Sequence, residues 1–282
     1  MKRQPREQRR RGIGIELQPR DVEMLHALAR LRIARTGDIA ALCFPGVRRD
    51  TVAARLRALF DAGYLAVSAP ERTTENLYSL GPRGSALVRE AGEEALPAPR
   101  GGLAHHLGIV RTWVALASAP VAGLGLELAR PDWELRAEFG DRGLAIVPDL
   151  FAVLSVGGVP VPLAVEVDLA TEAVQVLRAK VQAYAELLAT PTGLFGWREF
   201  GLVLALGDDR RRAAVEELLR SEWDGWSLTW TLDEGPTEQL RRFTLTLEGP
   251  LTTSPCGKGR PNAPTADITT AALPERGGLS EE

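Results

Sequence analysis

The stretch VPDLFAVLSVGGVPVPLAVEVD, residues 147–168, constrains the fold more than any other. Two apolar runs flank Gly157-Gly158. A two-residue Gly-Gly connection favours a tight antiparallel hairpin, because both residues accept positive φ. Pairing 156 with 159 makes opposed residue numbers sum to 315, which sets Asp149 opposite Glu166. Strand side chains alternate between faces, so Asp168 projects on the face of Glu166. Pro160 and Pro162 point to a longer or bulged loop. Opposed side chains sit roughly 5 Å apart at Cβ, so two like charges there oppose folding unless something compensates. A divalent cation is one compensator, because hard cations take carboxylate oxygens. A raised pKa on one acid is another. In a third arrangement the acids are strand-end residues at the solvent edge, paired with Arg178 or Lys180. The helical segment that follows carries Lys180 and Tyr184 on one face at i, i+4. Lys180 comes about two turns after Glu172 and leans toward the strand end that bears the acids.

The charge of the chain is uneven. Residues 1–100 hold 18 Lys and Arg against 12 Asp and Glu, while residues 101–282 hold 16 against 25. A basic first half suits a polyanion partner, although the net charge of -3 gives no global nucleic-acid signature. Residues 1–12, MKRQPREQRRRG, read as a basic disordered arm with no apolar core behind it. Residues 249–282 read as a disordered tail, being rich in Pro, Gly and Thr. A Pro/Gly linker at 96–104 separates a domain at 13–95 from one at 105–248. No segment has the uninterrupted apolar length of a membrane span. The two cysteines, Cys43 and Cys256, lie far apart, and a reducing cytoplasm is the expected setting.

Residues 13–95 read as three helices, a hairpin and a further helix. Apolar Val22, Leu25, Leu28 and Leu31 keep helical spacing after Pro19. Thr36 is the expected N-cap of the second helix. Val52, Leu56, Leu59 and Phe60 form the stripe of the third, with Gly63 at its C-terminal cap. This succession resembles a winged helix-turn-helix, which implies the third helix as recognition helix and residues 64–80 as wing. Arg48, Arg49, Thr51 and Arg55 fall off the apolar stripe near the start of that helix, where side chains meet base edges and phosphates. Arg72 falls at the wing tip. After the linker, a helix precedes strands at about 125–139, 150–156, 159–167, 200–206 and 226–232. Helices are expected at about 171–189 and 208–221, giving a sheet with helices packed on it. His105 and His106 have no Cys or His partner at metal spacing and read as helix-start residues.

A P-D followed after a hairpin by E-V-D resembles the PD-(D/E)XK nuclease superfamily. The resemblance implies that Asp149 and Glu166 hold Mg²⁺ or Mn²⁺ for phosphodiester hydrolysis. The superfamily's lysine, two residues after the Glu, is Asp168 here, a departure that makes Asp168 a third candidate metal ligand. Some members carry the lysine on the next helix, where Lys180 stands. The run K-V-Q-A-Y also resembles the helix motif of RecB-like members, with Lys180 in place of their Gln. Over roughly residues 18–235 the chain resembles the replication-relaxation family. The features are the winged helix, H-H-L at 105–107, the P-D strand, and then E-x-D, T-E, K and Y. That family occurs on plasmids and other mobile elements. The expected fold class is therefore α+β or α/β, a winged helix-turn-helix followed by a PD-(D/E)XK-like mixed sheet flanked by helices. Double-stranded DNA is the expected partner, with other replication or mobilisation proteins and a homodimer as further candidates. Two functions stay open. One is a DNA-binding protein of a mobile element, involved in replication or relaxation of DNA, whose metal-dependent nuclease-like domain is either active or, with Asp168 in the lysine's place, degenerate. The other is a winged-helix transcriptional regulator or replication accessory factor whose second domain serves assembly.

Overall fold

The computed structural model describes residues 14–68, 75–99, 101–139, 146–171 and 173–248. The basic arm, Arg72 and the tail lie outside the described residues. Helix α1 (Pro19–Leu31) begins on Pro19, whose fixed φ suits the first helical position, and the Asp21 carboxylate accepts the Gln18 N–H at 2.8 Å. After β1 (Ala34–Arg35) comes α2 (Thr36–Cys43). Thr36 lies inside this helix rather than capping it. Asp38 reaches back to the Arg35 N–H at 3.0 Å and satisfies that end instead. Helix α3 (Arg49–Asp61) ends as expected at Gly63, whose φ of +84° lets the chain turn away. Strands β2 (Leu65–Ser68) and β3 (Leu77–Leu80) form the wing, and α4 (Pro82–Glu90) follows. The small antiparallel sheet has the order β1-β3-β2, completing a winged helix-turn-helix.

Helix α5 (Leu103–Ala117) leads into the larger sheet. Strand β4 (Leu124–Pro131) is shorter than the 125–139 expected from sequence, because the chain turns at Pro131 into α6 (Asp132–Phe139). The Asp132 N–H bonds to Asp149 O at 3.0 Å, and Asp132 and Glu134 place negative charge at the helix start, where it is favoured. Strands β5 (Leu150–Val156) and β6 (Val159–Asp168) form the Gly157-Gly158 hairpin. Both glycines have positive φ, +57° and +84°. The register runs from Val156↔Val159 to Leu150↔Val165 without a slip, so the bulge suggested by Pro160 and Pro162 is absent. Both prolines fit because β7 pairs with β6 only from Leu163 onward, so among the described residues no strand asks for their missing N–H groups on that side. The irregularity falls instead between Leu126 and Leu128 of β4.

Helix α7 (Val174–Leu188), β7 (Gly201–Leu206), a 3-10 turn (Asp209–Arg211), α8 (Arg212–Glu222), β8 (Ser227–Thr231) and α9 (Thr237–Glu248) complete the chain. The sheet order is β4-β5-β6-β7-β8, antiparallel across the first three strands and parallel across the last three. Alternation divides β6 between two apolar clusters. Leu163, Val165 and Val167 join α1, α3 and α5 in one, while Ala164 meets Leu177, Val181 and Tyr184 of α7 in the other. The first cluster is continuous from Met24 to Leu240. The winged helix and the large sheet therefore share a core despite the linker composition between them.

Candidate active site and nucleic-acid interface

The register that pairs Leu150 with Val165 brings Asp149 beside Glu166 at the end of β5 and β6. Both are buried, at 8% and 2% exposure. Asp149 Oδ2 accepts the Val167 N–H at 2.8 Å, and Asp149 Oδ1 accepts from His105 Nε2 at 3.0 Å. Glu166 is held from α7. Lys180 Nζ donates to Oε2 at 2.7 Å and the Tyr184 hydroxyl donates to Oε1 at 2.5 Å. One helix turn separates these two donors, so the i, i+4 spacing read from sequence is what delivers both to one carboxylate.

Burial and then the neighbouring Asp149 push the Glu166 carboxyl up from 4.5 to about 7, against the pull of Lys180 and Tyr184. Burial, with Glu166 alongside, drives Tyr184 well above the ordinary phenol range, so it stays a proton donor. Its hydrogen bond to Asp149 raises the His105 imidazole above 6.5. Sequence reasoning gave His105 and Tyr184 no part in the site. The H-H-L start was a signal for His105, but its partner lies 44 residues away.

Asp168 shares the α7-facing side of β6, yet its carboxylate is engaged elsewhere. Oδ1 accepts the Ala170 N–H at 2.8 Å and Arg211 Nη1 at 3.0 Å. Among the described residues, no group of three or more His, Cys, Asp or Glu side chains is arranged to hold a metal ion. Asp149 and Glu166 nevertheless place two carboxylates side by side, the donor type that a hard cation takes.

In the winged helix, Arg48, Arg49 and Thr51 lie exposed at the start of α3. Arg48 is 87% exposed and 3.8 Å from Asp50. Arg49 reaches Glu75, before β3, at 2.7 Å while remaining 69% exposed. Arg55 differs from the exposed position read for it. Its guanidinium turns inward to Asp21 of α1 and to Glu16 O. Position 55 borders the stripe residue Leu56, and a fully buried carboxylate draws the cation in.

The sequence profile of the replication-relaxation family matches residues 25–196, which hold α3 and the whole acid site. The chain belongs to the replication-relaxation family. No curated protein matches this family member significantly. Two solved structures of the restriction endonuclease FokI, one of them bound to DNA, align with 81% of the chain at 14% and 13% identity. Their TM-scores of 0.30 and 0.34 are too low to define a common fold, and the chain spans 45% of the length of FokI. Among the described residues of this replication-relaxation protein, no helix is long and apolar enough to cross a membrane.

Proposed function

We propose that this replication-relaxation protein binds duplex DNA of a plasmid or other mobile element and acts on its replication or relaxation. The observation that carries the reading is the exposed start of α3, where Arg48, Arg49 and Thr51 lie outside the winged-helix core. Arginines at that place suit phosphate oxygens and base edges. Affinity is expected to fall steeply with salt, with a log-log slope of about -0.9 for each phosphate contacted. Arg48→Ala and Arg49→Ala should each weaken binding and flatten that slope by about 0.9. Filter-binding titrations of the full chain between low and physiological salt measure it. Unchanged affinity and slope in both variants would remove the recognition helix from the interface.

A second reading concerns the acid site, and the juxtaposition of Asp149, Glu166 and Lys180 favours it. Asp149 and Glu166 would hold Mg²⁺ or Mn²⁺. When bound, such an ion polarises a phosphoryl oxygen and lowers the pKa of water. Lys180, at 32% side-chain exposure and joined to Glu166, would offset charge developing on a phosphodiester that reaches the site. Tyr184 holds the other Glu166 oxygen and orients the carboxylate from behind. Asp168, bound to Arg211 through Oδ1, would be the third ligand only if it turned from that pairing.

Incubation of supercoiled plasmid with the protein and Mn²⁺ or Mg²⁺ should yield nicked or relaxed forms, and Glu166→Gln should abolish them. The cation should also stabilise the folded chain by about 2.7 kcal/mol at 100 times its Kd. A melting shift without strand cleavage would favour an accessory or regulatory role for the second domain. No shift and no cleavage would end the cation reading and leave DNA binding standing.

A further inference from the structure

His105 and His106 are neighbours at the start of α5, and they face different parts of the molecule. His106 is buried. Its Nε2 donates to Leu31 O, the last carbonyl of α1, at 2.8 Å, and its ring stacks on Trp133 with centroids 4.2 Å apart. The Trp133 indole N–H in turn donates to Arg30 O at 3.0 Å. Two carbonyls at the end of α1, which have no partner within their own helix, are thus satisfied from the sheet side of the molecule. Gly108, one turn beyond His105, brings α5 hard against β6. A Cβ there would come within 2.7 Å of Val167 Cγ1. The start of α5 is therefore fixed from two directions. His105, with 42% of its side chain exposed, is held where its Nε2–H meets Asp149 Oδ1.

We infer that His105 is a positioning residue of the acid site, fixing the Asp149 carboxylate beside Glu166 while His106 anchors it to the winged helix. Asp149 sits immediately before β5, so the chain there has fewer ladder bonds to fix it than a residue within the strand. Its side chain is restrained at one oxygen by Val167 N–H and at the other by His105. Removing the imidazole leaves one restraint, about which the carboxylate can turn. A carboxylate oxygen that accepts one hydrogen bond still has a lone pair to offer, so the His105 bond orients Asp149 without closing it to a cation. Hydrogen-bond partners of this kind typically change metal affinity by about 10–100-fold.

This inference rests on the cation reading of Asp149 and Glu166. Mn²⁺ titrations of the full chain, followed by electron paramagnetic resonance of free Mn²⁺, test it without any nuclease assay. His105→Leu is expected to weaken Mn²⁺ binding by about 10–100-fold. His105→Asn keeps a polar side chain that is too short to reach Asp149, and should match the Leu variant. His105→Gln sets an N–H near the position of imidazole Nε2 and should bind Mn²⁺ as wild type does. Circular dichroism confirms the fold of each variant, and the half-exposed position makes the Asn form usable should the Leu form misfold. Wild-type affinity in the Asn variant, or a loss in the Gln variant equal to that in Asn, overturns the positioning role. Absence of Mn²⁺ binding in wild type overturns the cation reading itself, and the inference with it.

Discussion

Arg55→Ala is expected to cost about 3–5 kcal/mol of stability, the range for breaking a buried ion pair by removing one partner. Asp21 is fully buried, and three protein donors serve its carboxylate: the Gln18 N–H at 2.8 Å, Arg55 Nε at 3.0 Å and Arg55 Nη2. Without Arg55 only the backbone donor remains, and a carboxylate must either stay charged in an apolar setting or take up a proton. Either outcome destabilises the join between α1 and α3, on which the winged helix depends. Arg49→Ala should change stability by no more than about 0.5 kcal/mol, because its partner Glu75 gains water when the exposed guanidinium leaves. Urea unfolding of both variants separates the roles. Adding Asp21→Asn to Arg55→Ala should recover much of the loss, since the buried charge is gone. An Arg55→Ala protein that unfolds at the wild-type urea concentration but binds DNA poorly would return Arg55 to the interface.

The second large effect is a decline of stability with rising pH, centred on Glu166. Below pH 4.5 this carboxyl is protonated whether the chain is folded or not. Between 4.5 and about 7 the folded state keeps a proton that the unfolded state has released, so stability falls as pH rises. Above about 7 both states have lost it and the decline ends. A shift from 4.5 to about 7 corresponds to about 3 kcal/mol over that window. Glu166→Gln, measured by urea unfolding from pH 5 to pH 8 with chelator present, should remove this part of the decline. His105, raised above 6.5 by Asp149, also stabilises the fold only while protonated, so a smaller decline should persist above pH 6.5 in the variant. Mn²⁺ should restore wild-type stability at pH 8, where Glu166 is ionised beside Asp149, and should leave the Gln variant unchanged. An unaltered pH profile in Glu166→Gln would mean that burial of this acid is not what the profile reports.

Much of the acid site was readable because its geometry is local. The Gly157-Gly158 turn permits few backbone arrangements, and the period of two in β5 and β6 then fixes which residues are opposed. Lys180 and Tyr184 reach one carboxylate because they stand four residues apart on a helix. The winged helix was readable for similar reasons, from the stripe of Val52, Leu56 and Leu59 and the turn at Gly63. The end of β4 was misread because apolar residues continue past Pro131 at 133 and 135. Their spacing suits either a strand or a short helix, and the bond from the Asp132 N–H to Asp149 O belongs to a distant part of the chain.

Local stereochemistry sets the winged-helix elements, the hairpin register and the meeting of Asp149 with Glu166, because turn geometry and side-chain period act over a few residues. Which cation meets which acid depends on contacts between elements far apart in the chain. Lys180 went to Glu166, Arg211 to Asp168, Arg55 to Asp21 and His105 to Asp149. Charge alone leaves all these pairings open, since each carboxylate attracts every cation. What selected among them is the packing on the two faces of the sheet, α5 against β6 and α1 on one and α7 and α8 on the other, which sets which side chains are buried within reach of one another.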